Sequence, residues 1–216
     1  MEREIRILLV EPQAVVREGL RLLLEKRQGF VVVGEADDGQ KAVELATRLR
    51  PNVVVTELLL PLLSGLEVVR QVCKGTSGAR AVVLSGRDAR SSVEDALRAG
   101  ASGYVVKSGP SKELLEAVEL VCSGESFLSP TITHHLVDAI ARPTGGAGSA
   151  LSQLTGRERE ALQLIAEGNS SKEVATLMGV SLKTVESHRS SLMNKLGIHK
   201  VANLVRFAVR EGLVEP

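Results

Sequence analysis

The strongest constraint on the fold is an alternation of short, β-branched apolar runs with longer amphipathic segments over residues 5–123. The runs are short and almost entirely apolar, which is typical of strands that are buried on both faces of a parallel sheet. We predict five strands, at residues 5–10, 30–34, 53–56, 81–85 and 103–106. Five helices, at residues 15–26, 40–49, 66–73, 93–99 and 114–121, follow from apolar residues at helical spacing. The predicted fold is therefore a doubly wound α/β domain, whose ligands lie beyond the carboxyl ends of the strands.

The C-terminal part of the chain shows a different, all-helical pattern. Two capping boxes, Thr155-x-x-Glu158 and Ser170-x-x-Glu173, predict helix starts, and Ser181 is a third N-cap candidate. Four helices are predicted, at residues 159–167, 172–178, 181–196 and 201–210. A short helix, a glycine turn at Gly179 and a longer helix form a helix-turn-helix pattern.

The segment between these two regions is predicted to connect them. Ser129-Pro130 is a candidate start for a linker helix through Ile140, and residues 143–150 have the small-residue composition of a flexible joint. We therefore predict an α/β domain at residues 1–123, a linker at 124–152 and a four-helix domain at 153–216. A length of 216 residues suits two small domains.

Composition excludes several classes of function. The 27 Lys and Arg residues nearly balance the 26 Asp and Glu residues, so any DNA-binding function must depend on a motif rather than on a basic tail. The longest apolar runs, such as residues 58–63, are far shorter than the roughly 18 residues of a membrane span. The first four residues also lack the apolar region of a secretory signal, so we expect a cytoplasmic protein without membrane contact.

No catalytic or cofactor motif is present in the sequence. It contains neither GxGxxG nor GxxxxGK[ST], and it contains no HExxH. Cys73 and Cys122 have no neighbouring cysteine or histidine, and we interpret them as buried apolar thiols. We expect no enzymatic activity, no cofactor and no metal.

The helix from Ser181 to Leu196 has two contrasting faces. Val185, Leu192 and Leu196 share one face and are expected in the core. The opposite face is small and polar and consists of Lys183, Glu186, Ser187, Ser190 and Asn194. Such a helix can enter a DNA major groove. A solvated face without a ligand is equally compatible with the periodicity, because the charge of Glu186 would repel phosphate.

The C-terminal region resembles the LuxR-type helix-turn-helix domain over about 60 residues. The resemblance is carried by Leu154-Thr155-Gly156-Arg157-Glu158-Arg159-Glu160, Ile165-Ala166-Glu167-Gly168, Ser171-Lys172-Glu173-Val174-Ala175, Ser181-x-Lys183-Thr184-Val185-Glu186-x-His188-Arg189 and Lys195-Leu196-Gly197. It implies that the third helix of the domain is the recognition helix. Groove contacts are then assigned to Lys183, Ser187 and Ser190, and backbone contacts largely to Lys172, Thr184, His188 and Arg189. Glu186 stands where many members carry lysine, and a glutamate can accept a hydrogen bond from cytosine N4.

Residues 3–123 resemble the receiver domain of two-component response regulators, and the two domains together are similar to the NarL/FixJ subfamily. The resemblance is carried by Ile7-Leu8-Leu9-Val10, Val15-Val16-Arg17-Glu18-Gly19-Leu20, Gly34-Glu35-Ala36-x-x-Gly39, Pro51-x-Val53-Val54, Pro61-x-x-x-Gly65-Leu66-Glu67, Leu84-Ser85 and Ala99-Gly100-Ala101-x-Gly103-Tyr104-x-x-Lys107. Such receivers accept a phosphoryl group on an aspartate that ends the third strand, and two acids after the first strand hold Mg²⁺. In these receivers the phosphoryl group is contacted by a Ser or Thr after the fourth strand and by a Lys after the fifth. The resemblance assigns these roles to Ser85 and Lys107. The resemblance also implies that Tyr104 swings inward on activation; packing at the sheet edge is the alternative.

The sequence departs from this pattern at two pocket positions. Glu57 occupies the acceptor position and Pro12 replaces the second metal-binding acid, while Glu11 remains. Mg²⁺ requires near-octahedral oxygen ligands, so we expect weak metal affinity. The extra methylene of Glu57 displaces its carboxylate by more than about an ångström, enough to spoil in-line attack on a phosphodonor. Glu57 could instead contact Lys107 and Ser85 and partly imitate a phosphorylated aspartate.

Three interpretations of the pocket remain open at this point. The receiver could work independently of phosphorylation, either held active by Glu57 or controlled by a partner protein. A different side chain, such as Ser85 or Thr56, could accept the phosphoryl group. The pocket could also be degenerate, with a purely structural role.

We interpret the whole chain as a DNA-binding transcription regulator. Its expected partners are double-stranded DNA, a second copy in a homodimer, and a histidine kinase or another regulatory protein. Two recognition helices would read half-sites about one helical turn apart. The alternative is an adaptor whose receiver-like domain binds a protein and whose helix-turn-helix no longer binds DNA.

Overall fold

The structure is a computed structural model that describes residues 4–75, 78–133 and 150–214. These residues form two compact units, one built around a parallel sheet and one built from helices. Most of the predicted linker helix, including Ile140, and nearly all of the predicted joint lie outside the described residues.

The sheet of the first unit is entirely parallel. Its strands are β1 (Ile5–Val10), β2 (Phe30–Ala36), β3 (Val53–Thr56), β4 (Arg80–Ser85), β5 (Gly103–Val106) and β6 (Phe127–Leu128). The order in the sheet is β2-β1-β3-β4-β5-β6, and every neighbouring pair is parallel. Every residue of β3 and β5 is buried, as their almost entirely apolar sequences predict.

Helices cover both faces of this sheet. They are α1 (Ala14–Glu25), α2 (Gly39–Leu49), α3 (Gly65–Lys74), α4 (Arg90–Ala99) and α5 (Ser111–Ser123). Alternate residues of β4 point to opposite faces: Val82 packs in a cluster with α5, and Val83 packs in a cluster with α3 and α4. The doubly wound α/β architecture is therefore confirmed.

The prediction of five strands was incomplete, because β6 extends the sheet beyond β5. Two backbone hydrogen bonds hold it there, from Phe127 N to Ser102 O (3.1 Å) and from Ser129 N to Tyr104 O (2.9 Å). A strand of two residues shows no periodicity in the sequence, which is why the pattern did not reveal it. Residues 130–133 then start a helix, so the beginning of the predicted linker lies against the receiver-like sheet.

The second unit is helical in its described part. A 3₁₀ helix (Ala150–Gln153) precedes α6 (Gly156–Ala166), α7 (Ser171–Met178), α8 (Leu182–Leu196) and α9 (Val201–Arg210). Both predicted capping boxes are present, at Thr155 with Glu158 and at Ser170 with Glu173. Each helix contributes to one apolar core, with fully buried members Leu162, Val174, Val185, Leu192 and Leu204.

None of the helices in the described part of the chain is both long enough and apolar enough to cross a membrane.

Candidate functional site

Four polar side chains meet at the carboxyl edge of the first unit's sheet. Glu11 directly follows β1, Glu57 follows β3, Ser85 ends β4 and Lys107 follows β5. Because the carboxyl ends of parallel strands lie at one edge, residues far apart in sequence become neighbours there. Glu11, Glu57 and Ser85 are almost fully buried, and the side chain of Lys107 is about a quarter exposed.

The ammonium of Lys107 is shared by two carboxylates. Its Nζ lies 2.6 Å from Glu11 Oε2 and 2.7 Å from Glu57 Oε2. Both distances are those of charge-assisted hydrogen bonds. The contact between Glu57 and Lys107 is one that the sequence made chemically reasonable, whereas the ion pair between Lys107 and Glu11 was not considered.

The remaining carboxylate oxygens are also occupied. Glu57 Oε1 accepts hydrogen bonds from Ser85 Oγ (2.5 Å) and from the backbone N–H of Leu58 (2.6 Å). Glu11 Oε1 accepts a hydrogen bond from the backbone N–H of Gln13 at 3.1 Å. All four oxygens of the two buried carboxylates therefore have protein donors.

The pocket residues present do not fit the Mg²⁺ ion that the receiver resemblance implies. The carboxylate oxygens facing the pocket are bonded to the Lys107 ammonium, and Pro12 brings no oxygen from its side chain. The described residues contain no group of three or more His, Cys, Asp or Glu side chains that could hold a metal ion. A cation that demands several rigid oxygen ligands would have to displace Lys107.

The charge of Lys107 is fixed by its neighbours. Burial opposes the charged form, but the hydrogen bonds to Glu11 and Glu57 outweigh it, and the pKa of Lys107 is raised above its ordinary value. The lysine thus stays protonated near neutral pH.

An arginine that the sequence analysis did not single out lies beside the replaced acid. Arg17 Nη1 donates to the carbonyl oxygen of Glu11 at 2.6 Å and lies 3.4 Å from that of Pro12. Its Nε lies 3.3 Å from Glu35 Oε2. Arg17 therefore ties the β1–α1 loop that carries Pro12 to the end of β2.

Tyr104 points inward and is completely buried. Its hydroxyl donates to the carbonyl oxygen of Arg87 at 2.6 Å, and the backbone N–H of Arg87 donates to Ser85 Oγ at 3.3 Å. Burial, with a further contribution from the charge of Glu57, raises the pKa of Tyr104. β6 pairs with β5, so β5 is an inner strand of the sheet and Tyr104 does not lie on an edge strand.

Ser129, just after β6, connects this region to the start of the next helix. Its Oγ accepts a hydrogen bond from Val106 N at 3.2 Å and donates to a carboxylate oxygen of Glu113. Three residues later, Ile132 is fully buried in the apolar cluster that contains Tyr104. In the sequence, Ser129 stood out only because Pro130 follows it, which made the pair a possible helix start. No sequence pattern indicated its contacts with Val106 and Glu113.

The second candidate surface is the outward face of α8. Every residue predicted there is exposed: Lys183, Glu186, Ser187, Ser190 and Asn194. Of the residues assigned to backbone contacts, Lys172 on α7 is exposed, and Thr184, His188 and Arg189 are half-buried. Val185 and Leu192 are fully buried on the opposite face, so α8 is amphipathic as predicted.

Two hydrogen bonds position side chains at this surface. Arg189 Nη1 lies 3.4 Å from Ser171 Oγ at the start of α7. The hydroxyl of Thr184 lies 2.8 Å from Ser181 Oγ, within the N-cap of α8. Both contacts keep polar groups near the N-terminal ends of the two helices of the helix-turn-helix.

Glu158 links α6 to α8 below that surface. Its carboxylate accepts from Ser191 Oγ (2.6 Å) and from Lys195 Nζ (2.7 Å) while it also caps α6 through Thr155 N (2.8 Å). Burial opposes its ionisation, but these hydrogen bonds outweigh burial and lower the pKa of Glu158 to about 2. The capping box was visible in the sequence, but the tie to α8 was not.

Comparison with known proteins agrees with this geometry. The model of the response regulator receiver domain matches residues 7–119, and the model of the luxR family of bacterial regulatory proteins matches residues 152–208. The transcriptional regulatory protein MctR of Rhizobium johnstonii is 34% identical over 98% of this chain and 96% of its own length. The chain belongs to the LuxR-type response regulators. It is a transcriptional regulator with a DNA-binding domain rather than an enzyme.

Solved structures resemble this LuxR-type response regulator as well. A LuxR-family two-component response regulator from Aurantimonas sp. SI85-9A1 is 35% identical, with a TM-score of 0.62 over 64% of this chain and 99% of that one. RcsB from Salmonella enterica serovar Typhimurium, bound to promoter DNA with a phosphomimetic, is 24% identical, with a TM-score of 0.60 over 95% of this chain and 98% of that one. The second likeness concerns the fold.

Proposed function

We propose that this response regulator binds operator DNA in the cytoplasm as a homodimer and that its receiver works without aspartate phosphorylation. The receiver spans residues 1–123, the linker 124–152 and the DNA-binding domain 153–216 in this proposal. The observation that carries it is the single ammonium of Lys107 held between Glu11 and Glu57.

The chemistry of phosphoryl transfer is blocked at two steps by this arrangement. An attacking carboxylate needs a free oxygen in line with the phosphodonor. Both oxygens of Glu57 are occupied, by Lys107 on one side and by Ser85 and Leu58 on the other. The same lysine also takes the carboxylate oxygens that would otherwise hold a divalent cation.

The contacts of Glu57 correspond to those that the receiver resemblance implies for a phosphoryl group. One oxygen meets the Ser85 hydroxyl and the other meets the Lys107 ammonium. Tyr104 is turned inward, as expected for an activated receiver. A carboxylate carries one negative charge where a phosphoryl group carries nearly two, so Glu57 is a partial substitute for the signal.

Phosphorylation at another side chain of the pocket is disfavoured by burial. Thr56 is completely buried and its hydroxyl donates to the carbonyl oxygen of Glu57 at 3.0 Å. Ser85 is only 1% exposed. Neither hydroxyl is accessible to a kinase, so a regulatory protein is the expected partner in place of phosphotransfer.

The DNA interface in this proposal is the exposed face of α8. Lys183, Ser187 and Ser190 would reach base edges in the major groove. Lys172, Thr184, His188 and Arg189 would contact the phosphate backbone and fix the position of the helix. Two copies of α8 would read half-sites about one helical turn apart.

The receiver has a continuous route to the linker. Ser85 Oγ donates a hydrogen bond to Glu57 Oε1 and accepts one from the backbone N–H of Arg87. The carbonyl oxygen of Arg87 in turn accepts a hydrogen bond from the Tyr104 hydroxyl. The carbonyl oxygen of Tyr104 accepts from the backbone N–H of Ser129, which lies in the proposed linker directly before the helical residues 130–133. We infer that the state of the pocket reaches the DNA-binding domain along this route.

The test compares untreated full-length protein with a Pro12→Asp/Glu57→Asp variant, each with and without acetyl phosphate. We expect intact-mass analysis to show no phosphoryl adduct on the native protein and one on the variant. In randomised-DNA selection, the untreated native protein should already enrich a sequence. Stoichiometric labelling of the native protein would refute phosphorylation independence, and a lack of salt-dependent binding to duplex DNA would refute the DNA-binding proposal.

A further inference from the structure

Glu186 is an unpaired carboxylate in the groove-facing part of α8. It is exposed, and among the described residues no hydrogen bond or ion pair engages its side chain. Lys183 lies one turn earlier on the same face without an ion pair to it, and Arg189, one turn later, lies within reach of Ser171. A carboxylate at this position is repelled by the DNA phosphates. A favourable contact in the groove must therefore compensate for this repulsion if the protein is to bind DNA.

The bases differ in what they present to a carboxylate in the major groove. Guanine and thymine present acceptors, which repel a carboxylate. Adenine presents its N6 donor beside the N7 acceptor, whereas cytosine presents the N4 donor alone. Cytosine is therefore the base that a glutamate accommodates best.

We propose that Glu186 determines specificity by accepting a hydrogen bond from cytosine N4 at one position of each half-site. This inference rests on the proposed insertion of α8 into the major groove. Glu186 lies in the N-terminal half of α8, the part of a recognition helix that contacts base edges. It shares the exposed face with Lys183, whose ammonium suits guanine.

Randomised duplex DNA selection with the full-length protein tests this proposal. The native protein should prefer cytosine at one half-site position by about tenfold over the other bases. Glu186→Gln should shift that position to adenine, because a glutamine amide bonds adenine N6 and N7 together, and Glu186→Lys should shift it to guanine. Glu116→Gln is the matched control, because Glu116 is exposed on α5 of the receiver and the substitution removes the same charge.

The outcomes separate this inference from the proposed function. Identical base preferences in the native protein and Glu186→Gln would overturn the inference while leaving DNA binding intact. A shift in both Glu186→Gln and Glu116→Gln would also overturn it, since net charge would then be the cause. Absence of salt-sensitive binding in every variant would refute the proposed function and this inference with it.

Discussion

Lys107 Nζ lies 2.7 Å from Glu57 Oε2, so the residue at the acceptor position is bonded to the lysine that would otherwise neutralise a phosphoryl group. The same Nζ is 2.6 Å from Glu11 Oε2. Two buried carboxylates thus depend on one cation. Loss of Lys107 would leave both carboxylates without a cation, whereas loss of either glutamate would leave the lysine one partner. The three residues should therefore contribute differently to stability.

Lys107→Ala should destabilise the receiver strongly, because it leaves Glu11 and Glu57 buried without a counter-charge. Removing one partner of a buried pair costs about 3–5 kcal/mol. Glu57→Gln should cost about 1 kcal/mol, because Lys107 keeps Glu11 as its partner. Urea unfolding of both variants measures the difference, and equal losses would show that Lys107 is not the centre of the network.

The double variant Lys107→Ala/Glu57→Gln gives a further check. Its loss of stability should be smaller than the sum of the two single losses, since one of the stranded carboxylates is then neutral. Strict additivity would contradict the shared ion pair.

Much of this pocket could be predicted because strand ends are easy to locate. β1, β3 and β5 have the bounds that their apolar runs predict, and each places one pocket residue directly after its last residue. The bond between Glu11 and Lys107 was missed because the sequence does not show how far a side chain reaches across the sheet. Which carboxylates Lys107 pairs with depends on the distances across the sheet between the side chains.

Ser129→Ala should weaken the influence of the receiver pocket on DNA binding. It removes the acceptor for Val106 N and the donor for Glu113, which costs about 1–3 kcal/mol of stability. Glu57→Ala should change DNA affinity less in a Ser129→Ala background than in the native protein. Ser123→Ala is the control, because Ser123 is exposed on α5 and bonds only within its own helix. The backbone bond from Ser129 N to Tyr104 O remains in Ser129→Ala, so an unchanged effect of Glu57→Ala would exclude the Ser129 side chain from the coupling.

Contacts of this kind lie beyond sequence reasoning for a physical reason. Ser129 and Val106 are 23 residues apart, and Glu158 and Lys195 are 37 apart. The capping box at Thr155 involves residues close in sequence and was therefore recognised. The hydrogen bonds from Ser191 and Lys195 to Glu158 depend on how α6 packs against α8. Periodicity identifies the buried face of each helix without identifying its partner.

Gly65→Ala should destabilise the receiver by about 3 kcal/mol or more. A Cβ at this position would lie 2.0 Å from the carbonyl oxygen of Glu57 and 2.8 Å from the Cα of Leu58, and backbone atoms cannot yield as a side chain does. Gly19→Ala in α1 is the control, because its Cβ would meet no atom within 4 Å. That variant should gain about 0.5–1 kcal/mol from helix propensity. Thermal unfolding distinguishes the two, and a mild effect at Gly65 would contradict the close approach of α3 to the backbone that follows β3.

Acid should destabilise the DNA-binding domain through Glu158. Its pKa is lowered from 4.5 to about 2 in the folded state, so its contribution is complete above about pH 4.5 and is lost as the pH falls toward 2. The shift corresponds to about 3 kcal/mol of stability. Glu158→Gln should remove that contribution and flatten the dependence of unfolding free energy on pH between about 4.5 and 2. Urea unfolding followed across that range measures the slope; a Glu158→Gln slope equal to that of the native protein would show that other carboxylates cause the acid sensitivity.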